Sequence, residues 1–344
     1  MAVLLGAIRW AWPALSLSLL LVAAVALVWA FGDGGQQRTT VEALIRVVVV
    51  VGLYIFIGNS GVISFGSIAF MAIGAYATAW QTCCPRLKPF NMTGLPDFLK
   101  HNTIDFLPAA LSSCSLAMAF ALVVGYPIMR LSGISASIAT LAVLAIVNVT
   151  YANWDTVTLG TNSVVGIPRY VDVWVALGCA LLAIAVAYAY QESRMGRALR
   201  AASQDEVAAR AVGIDVPAQR LLAWVLSAGF VALGGVLYAH FVTLITIDVF
   251  YLDMTFLTLA MLVVGGKDSL AGAVIGVVAL SLVIELFRRL ESGVEVFEVA
   301  LKLPVSSQEV ALGIAMLLIL ILRSGGLMGG REITWPFRRP ASAP

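Results

Sequence analysis

A glycine-rich stretch over residues 58–66 is the first place where this hydrophobic chain could do chemistry. It reads GNSGVISFG and sets asparagine and serine side chains between two apolar runs. Backbone that leaves a helix inside a membrane is tolerated only where protein or a watery cavity satisfies its polar groups. We therefore predict a broken helix that borders a solute path. The candidate path residues are Gly58, Asn59, Ser60, Gly61, Ser64 and Gly66. An ordinary turn between two complete spans is the alternative.

Ser60 also raises the alternative of covalent catalysis. Residues 58–61 spell G-x-S-G, which resembles the serine motif of rhomboid intramembrane proteases. Such a serine needs a histidine in another span to accept its proton. The chain has two histidines, His101 in a polar loop and His240 near the end of an apolar run, so we do not expect proteolysis. The sequence contains neither an H-E-x-x-H motif nor a Cys/His cluster, so we predict no metal site. We also expect no cofactor.

The second chemically informative stretch is a polar segment over residues 192–220, between apolar runs at 171–190 and 221–242. Ser203 followed by Glu206 is typical of a capping box, in which each side chain bonds a backbone N–H of the other residue. Gly213 is suited to the left-handed position that follows a helix, with Pro217 beyond it. We predict a short helix over residues 204–212. So short a helix needs a surface on which to dock: a partner protein or, as the alternative, its own chain.

Composition defines the elements that position these residues. Hydrophobic residues make up 61% of the chain and charged residues 12%, against roughly 45–50% and 25% in soluble domains. We predict an all-α, polytopic transmembrane bundle that forms a single domain over residues 1–344. An uncleaved first span is favoured over a signal peptide because its apolar run is long. About ten spans are expected, with eight or nine as alternatives, at residues 14–31, 41–57, 68–80, 107–129, 134–152, 171–190, 221–242, 254–264, 270–287 and 310–322.

Arginine clusters predict the orientation. The segment 192–220 carries five arginines, and the tail after residue 322 carries four more. Because cytoplasmic loops are enriched in Lys and Arg, we expect both clusters and both termini to lie in the cytoplasm. The span interiors are nearly free of ionisable residues, which disfavours an ion-driven secondary transporter. A net charge of +2 gives no reason to expect nucleic-acid binding.

Two further patterns concern the cysteines and a possible internal repeat. Four cysteines occur without a C-x-x-C spacing, so no disulfide framework is expected, and adjacent Cys83 and Cys84 could pair only as a rare vicinal disulfide. Residues 67–74 and 269–276 share the pattern S-x-A-x-x-x-I-G. Transporters often contain such internal repeats, but small residues at helix interfaces produce a similar echo, so both explanations stay open.

The segment 192–220 also carries a family resemblance. Glu206, Ala208, Ala209 and Gly213 resemble the E-A-A-x-x-x-G loop with which ABC-importer permeases dock on a cytoplasmic ATPase, and Ser203 joins them as the expected cap. More narrowly, the chain resembles the LivM-type branched-chain amino acid permease subunit. The stretches that carry this resemblance are SFGSIAFMAIGAY at 64–76, GRALRA at 196–201, AWVLSAGFVALGGVLYA at 223–239 and VGGKDSLAGAVIG at 264–276.

The resemblance implies a function and a set of partners. Such a permease moves branched-chain amino acids or similar small solutes across a bacterial inner membrane. It implies a second, homologous permease subunit, two cytoplasmic ABC ATPase subunits and an extracytoplasmic solute-binding protein. The chain has no G-x-x-x-x-G-K-S/T motif, so a separate ATPase would have to power it. Urea, amides and other small solutes stay open as substrates.

Overall fold

The fold is taken from a computed structural model that describes residues 2–83, 88, 92–292, 294–296, 299–301, 313–314, 317–318, 321–323, 325–330 and 332. Helices dominate this part of the chain. They are α1 (Ala2–Phe31), α2 (Gly34–Ser60), α3 (Ser67–Thr82), α4 (Asp97–His101), α5 (Phe106–Ile128), α6 (Ile134–Ala152), α7 (Asp155–Thr158), α8 (Val173–Glu192), α9 (Arg194–Gln204), α10 (Glu206–Ala211), α11 (Val216–Val242), α12 (Leu252–Gly265) and α13 (Leu270–Ser292).

The strands are short and form two antiparallel pairs in the described part of the chain. β1 (Val164–Val165) pairs with β2 (Leu244–Ile245), and β3 (Val294–Val296) pairs with β4 (Val299–Leu301). A 3-10 turn at Ile247–Phe250 leads from β2 towards α12. The strands therefore connect helices and add no layer, which confirms the predicted all-α bundle.

Seven described helices are long and apolar enough to cross a membrane, namely α1 from Trp12 onward, α2, α5, α6, α8, α11 and α13. Two predicted spans are shorter helices: α3 has 16 residues and α12 has 14. At 1.5 Å per residue they are about 24 and 21 Å long, less than the ~30 Å hydrocarbon core. The polytopic bundle is confirmed, and its span count stays approximate. The predicted tenth span, 310–322, lies mostly outside the described residues.

Helices α2 and α11 form the centre of the bundle. α2 is buried almost continuously along its second half, as expected of a helix that is apolar on every face. α11 packs against α2, α3 and α5. Its contact with α3 is close because both sides present glycine: a Cβ on Gly74 would lie 2.3 Å from the Ala232 carbonyl oxygen, and one on Gly235 would lie 2.0 Å from that of Met71. Small residues permit this approach.

The two ends of the bundle carry different loops. The end that we call the near end holds α9, α10 and the turns at 61–66 and 266–269: a Cβ on Gly61 would lie 3.3 Å from Ser203 Cβ, and one on Gly58 would lie 2.7 Å from the Lys267 carbonyl oxygen. The opposite end, the far end, holds α4, α7, β1 and β2. α2 begins at the far end and finishes at the near end.

The two S-x-A-x-x-x-I-G segments occupy comparable positions. Each begins a helix, α3 or α13, after a turn that contains glycine. Each also ends in a glycine against a neighbouring backbone: Gly74 faces Ala232, and a Cβ on Gly276 would lie 2.0 Å from the Met261 carbonyl oxygen. Close helix packing is therefore sufficient to explain the echo. A true internal repeat stays a prediction.

Candidate functional site

The polar segment folds into two helices joined by one extended residue. α9 ends at Gln204, Asp205 has an extended backbone at φ −147° and ψ 103°, and α10 covers Glu206–Ala211. The predicted helix over 204–212 is therefore present, but it begins two residues later and ends one residue earlier than predicted. The bend at Asp205 sets α10 apart from α9, so that α10 stands as a separate short helix at the near end.

The predicted capping box between Ser203 and Glu206 is wrong. Asp205 is the N-cap of α10, and its Oδ1 accepts hydrogen bonds of 2.9 Å from the backbone N–H groups of Val207 and Ala208. Ser203 instead belongs to the last turn of α9 and donates its hydroxyl to the Arg200 carbonyl oxygen at 2.8 Å, as serines inside helices often do. The prediction placed the cap two residues before the residue that provides it.

Gly213 closes α10, as predicted. Its φ of +86° is left-handed. Its N–H donates to the Arg210 carbonyl oxygen at 3.0 Å, and the Ile214 N–H donates to that of Ala209 at 3.1 Å. These two bonds form a Schellman motif, which satisfies carbonyl groups at a helix C-terminus. Asp215 then caps α11 by accepting from the Ala218 N–H at 3.2 Å.

Glu206 connects α10 to α11. Its carboxylate accepts hydrogen bonds from Arg210 in the same helix and from Arg220 in the first turns of α11, where Nη2 lies 2.9 Å from Oε2. Arg220 is almost buried, with its side chain 7% exposed. Partial burial raises the pKa of Glu206, but the hydrogen bonds and charges of Arg220 and Arg210 outweigh it and hold the pKa below its ordinary value of 4.5. Glu206 is therefore ionised at neutral pH, and its ion pair with Arg220 links α10 to α11.

The two faces of α10 differ in burial. Ala209 is 5% exposed and packs with Ala202 and Val216, so it holds α10 against α9 and α11. Val207 is 80% exposed, and Ala208 is exposed beside it. Val212, just beyond the helix, is 77% exposed. The outward face of α10 is therefore a small apolar surface on a polar segment.

The helix break starts three residues later than predicted. α2 continues through Ser60, so Gly58, Asn59 and Ser60 are helical. Gly61 then ends the helix with φ +71°, and its N–H donates to the Ile57 carbonyl oxygen at 3.0 Å. Residues 61–66 form the break. α2 alone has 27 residues and is about 40 Å long, which is enough for a complete span that ends at the near end.

Helix α6 satisfies backbone groups that the break leaves without helical partners. Thr140 Oγ1 accepts from the Phe65 N–H at 3.2 Å, and Ser137 Oγ donates to the Ile63 carbonyl oxygen at 2.7 Å. Ser64 and Ser67 share a hydrogen bond of 3.0 Å between their hydroxyl groups. The break is thus a fixed turn, held by two polar side chains of a neighbouring span.

The predicted path residues are unequally exposed. Asn59, Ser60 and Ser64 are buried, at 0%, 3% and 1% exposure, whereas Gly61 is exposed. Gly66 is a close-packing position, because a Cβ there would lie 2.2 Å from the Thr140 carbonyl oxygen. Since Gly61 faces Ser203 of α9, the break and the polar segment 192–220 lie side by side. The role of these residues in a solute path stays a prediction.

Ser60 is not paired with a histidine in the described part of the chain. Its Oγ accepts from the Val62 N–H at 3.2 Å at the near end. His240 is buried at the far end, where Nδ1 donates to the Pro168 carbonyl oxygen at 2.8 Å and Nε2 lies 2.9 Å from Thr78 Oγ1. Because a carbonyl oxygen only accepts, Nε2 is left to accept from Thr78. His101 lies in α4, which is also at the far end, so both histidines are at the opposite end of the bundle from Ser60.

Two features of the near end were missed by sequence reasoning. Arg220 is the partner that fixes Glu206, and Glu332 binds the start of α13: its Oε1 accepts from the Leu270 N–H at 2.7 Å, and its Oε2 from the Ala271 N–H at 3.3 Å. Gln191 donates to the same carboxylate at 3.4 Å and accepts from the Tyr54 hydroxyl at 2.8 Å. No local pattern signals such long-range pairs.

Among the described residues, no cluster of three His, Cys, Asp or Glu suits a metal ion.

A multi-pass helical bundle with a capped helix pair at one end defines a class, the polytopic helical membrane proteins. The comparison with known families narrows it. The sequence profile described as "Branched-chain amino acid transport system / permease component" matches residues 37–322. The chain belongs to this permease family, and the predicted resemblance is confirmed.

Individual relatives agree with this assignment. The chain is 26% identical over 317 residues to the high-affinity branched-chain amino acid transport system permease protein LivM of Salmonella typhimurium, covering 80% of this chain and 68% of that protein. It is 25% identical over 312 residues to LivM of Escherichia coli, covering 78% and 67%. The permease protein LivH of Escherichia coli is 30% identical over 162 residues, or 47% of each chain. No solved structure matches the chain.

Proposed function

We propose that this chain is the transmembrane permease subunit of an ABC importer that moves branched-chain amino acids or similar small solutes into the cytoplasm, powered by separate ATPase subunits. The family assignment supports the transport of such solutes. The observation that carries the coupling proposal is α10, a capped helix whose outward face is apolar although it lies in a polar segment. An apolar surface of this kind suits a helix that docks into a groove of another protein.

The orientation follows from charge. The near end carries the five arginines of the segment 192–220, and Glu332 in the tail lies at the same end through its contacts with Gln191 and α13. By the positive-inside rule the near end lies in the cytoplasm, and both termini with it. In this orientation α10 faces cytoplasmic ATPases, and the far end faces an extracytoplasmic solute-binding protein. The membrane would be the bacterial inner membrane.

A second permease subunit completes the proposed assembly. Both LivM and LivH proteins resemble this chain, which supports pairing with a related but distinct permease. Several helices present apolar residues outward, among them Val123 of α5 and Ile134 of α6, which are 73% and 78% exposed. Lipid or the second subunit would cover these faces. The solute path would then run beside the exposed Gly61.

The contacts supply a route by which motion of α10 can reach the spans. Glu206 binds Arg220, which is part of α11. α11 is the central helix and packs against α2, α3 and α5. In addition, α9 lies against the helix break at Gly61. A displacement of α10 by an ATPase would therefore move the central helix and the break together, which is the coupling that alternating access needs.

The docking surface can be tested by placing charge on it. We expect the double variant V207D/V212D to fold and reach the membrane, because both side chains are exposed, and to lose most co-purified ATPase and solute uptake. The matched control is V165D, which changes a valine that is 60% exposed at the far end. ATPase recovered per permease and uptake of radiolabelled leucine are measured. Wild-type recovery and uptake in V207D/V212D would refute the proposed role of α10.

A further inference from the structure

A cavity of about 420 Å³ opens at the far end, between the end of α1, the start of α2 and the start of α8. This volume falls within the range of small-molecule sites. We call it the tryptophan cavity. The charged and aromatic residues of its lining are Trp29, Arg38, Arg169, Asp172, Trp174 and Phe241. It lies away from α10 and from the helix break, so neither proposed role accounts for it.

The charged groups of the cavity form no ion pair within the described part of the chain. Arg38 and Arg169 are exposed, and neither forms an ion pair with any described residue. Asp172 precedes α8, but its side chain makes no capping hydrogen bond. Two guanidinium groups and one carboxylate therefore face the same space. Guanidinium groups are suited to bind phosphate through paired N–H donors.

Arg169 is held in place by its neighbours. Its guanidinium carbon lies 5.8 Å from the centroid of the Phe241 ring, a cation–π distance. The preceding residue, Pro168, is anchored because its carbonyl oxygen accepts from the buried His240. The loop that carries Arg169 is thus fixed to the end of α11. This preorganisation reduces the entropy lost when a ligand binds.

Two tryptophans place the cavity at the membrane interface. Trp29 and Trp174 have ring centroids 6.1 Å apart, and the two residues are 57% and 55% exposed. They lie in the last turn of α1 and the first turn of α8, where these spans meet the water, as interfacial tryptophans do. About one turn deeper, Ala26 and Gly178 are exposed, and nothing lies within 4 Å of a Cβ built on Gly178. Small residues there leave room for an acyl chain.

We propose that the tryptophan cavity binds the head group of a bilayer phospholipid. The lipid phosphate lies between Arg38 and Arg169, and the acyl chains extend along α1 and α8. The carboxylate of Asp172 makes a zwitterionic ethanolamine head group the best match, because its ammonium group offers the opposite charge. The site would tie α1 and α2 to α8 through a lipid of the leaflet at the far end.

Lipid retention tests the proposal. The full-length protein, with any subunits that co-purify, is placed in nanodiscs of equal parts phosphatidylethanolamine and phosphatidylglycerol, then extracted and weighed by native mass spectrometry. We expect the wild type to retain one more phospholipid than R38Q/R169Q, with phosphatidylethanolamine preferred. The matched control R130Q/R194Q removes two exposed arginines elsewhere in the chain and should retain the wild-type number. Equal retention by the wild type and R38Q/R169Q overturns the proposal.

Two further experiments identify the head group and distinguish a lipid phosphate from a free phosphate ion. D172N should shift retention from phosphatidylethanolamine towards phosphatidylglycerol; an unchanged preference would refute the ethanolamine assignment. Inorganic phosphate alone is tested in detergent by thermal unfolding. If it raises the melting temperature of the wild type but not of R38Q/R169Q, the cavity binds a free anion, and the lipid proposal is wrong. No phosphate effect together with retained lipid supports it.

Discussion

At the scale of single residues, Glu206 shows how one side chain can set the position of a helix. It is in the first turn of α10, where the helix dipole favours a negative charge. It also binds Arg220, which is nearly buried in α11. Removing one partner of such a pair leaves a buried charge unsatisfied, and this costs more than the net value of the pair. The two residues should therefore be strongly coupled.

We expect E206Q and R220Q to have non-additive effects on stability. E206Q leaves the Arg220 guanidinium without its anion and should destabilise the protein by about 1–3 kcal/mol. The double variant E206Q/R220Q should lose less than the sum of the single variants, because no unpaired charge remains. Thermal unfolding in detergent measures this coupling, and co-purified ATPase reports on the placement of α10. If the stability losses of the single variants add up to that of the double variant, the two residues contribute to stability independently.

The pH dependence of the same pair has a definite sign. The pKa of Glu206 is lowered in the folded protein, so its pairing stabilises the fold above the ordinary carboxyl pKa of 4.5 and is lost as the pH falls through the lowered value. Around neutral pH we therefore expect the difference in melting temperature between wild type and E206Q to be constant. A difference that changes across neutrality would indicate another titrating group.

At the scale of elements, the helix break depends on close contact with α6. Gly66 lies against the Thr140 backbone, and the polar groups of residues 63 and 65 are bound by Ser137 and Thr140. Gly61 has a different role, because it is exposed and left-handed. The two glycines that sequence reasoning grouped together should therefore respond differently to substitution.

We predict that G66A loses most of the assembled protein, since a Cβ would meet the Thr140 carbonyl oxygen at 2.2 Å. G61N should assemble, because asparagine tolerates the left-handed conformation. G178A, at an open and exposed position, is the control. Monodisperse protein recovered by size-exclusion chromatography is measured. Normal recovery of G66A would mean that α3 and α6 can separate without cost.

The start of α13 depends on a residue far along the chain. Glu332 accepts from the first backbone N–H groups of α13, as an N-cap does. We expect E332Q to lower the free energy of unfolding by about 0.5–2 kcal/mol, the usual effect of losing a cap. The control is D268N, an exposed carboxylate in the same turn whose side chain is 61% exposed. Equal melting temperatures for E332Q and D268N would contradict a capping role.

Some local signals were read correctly from the sequence, others such as the Ser203 cap were not, and the long-range pairs were missed. Gly213 and the acidic start of α10 are signals within a few residues, so the helix was placed to within two residues at its start. Gly58 was included in the break because glycine suggests a turn, but it is helical and instead permits close approach to the Lys267 backbone. Arg220 and Glu332 act across 14 and 61–62 residues. Such pairs depend on packing, which a single sequence does not show.

At the scale of the whole molecule, the near and far ends have different chemical character. The near end gathers α10, the helix break and the start of α13 around the ends of α2 and α8. The far end carries the buried His240 and the tryptophan cavity. α11 (Val216–Val242) runs between the two ends and packs against α2, α3 and α5. A force applied to α10 would reach both ends through this helix. A cytoplasmic ATPase could apply such a force only if the near end lies in the cytoplasm.

Orientation is therefore the prediction on which the coupling proposal depends. In a variant with its four cysteines replaced, a single cysteine at Gln204 or Asn162 is labelled with a membrane-impermeant maleimide in intact cells and in inverted vesicles. Both positions are exposed, Gln204 at the near end and Asn162 at the far end. We expect Q204C to react only in inverted vesicles and N162C only in intact cells, because the arginines of the near end favour the cytoplasm. The reverse pattern would place α10 outside the cell, where no ATPase could reach it, and the proposed mechanism would fail.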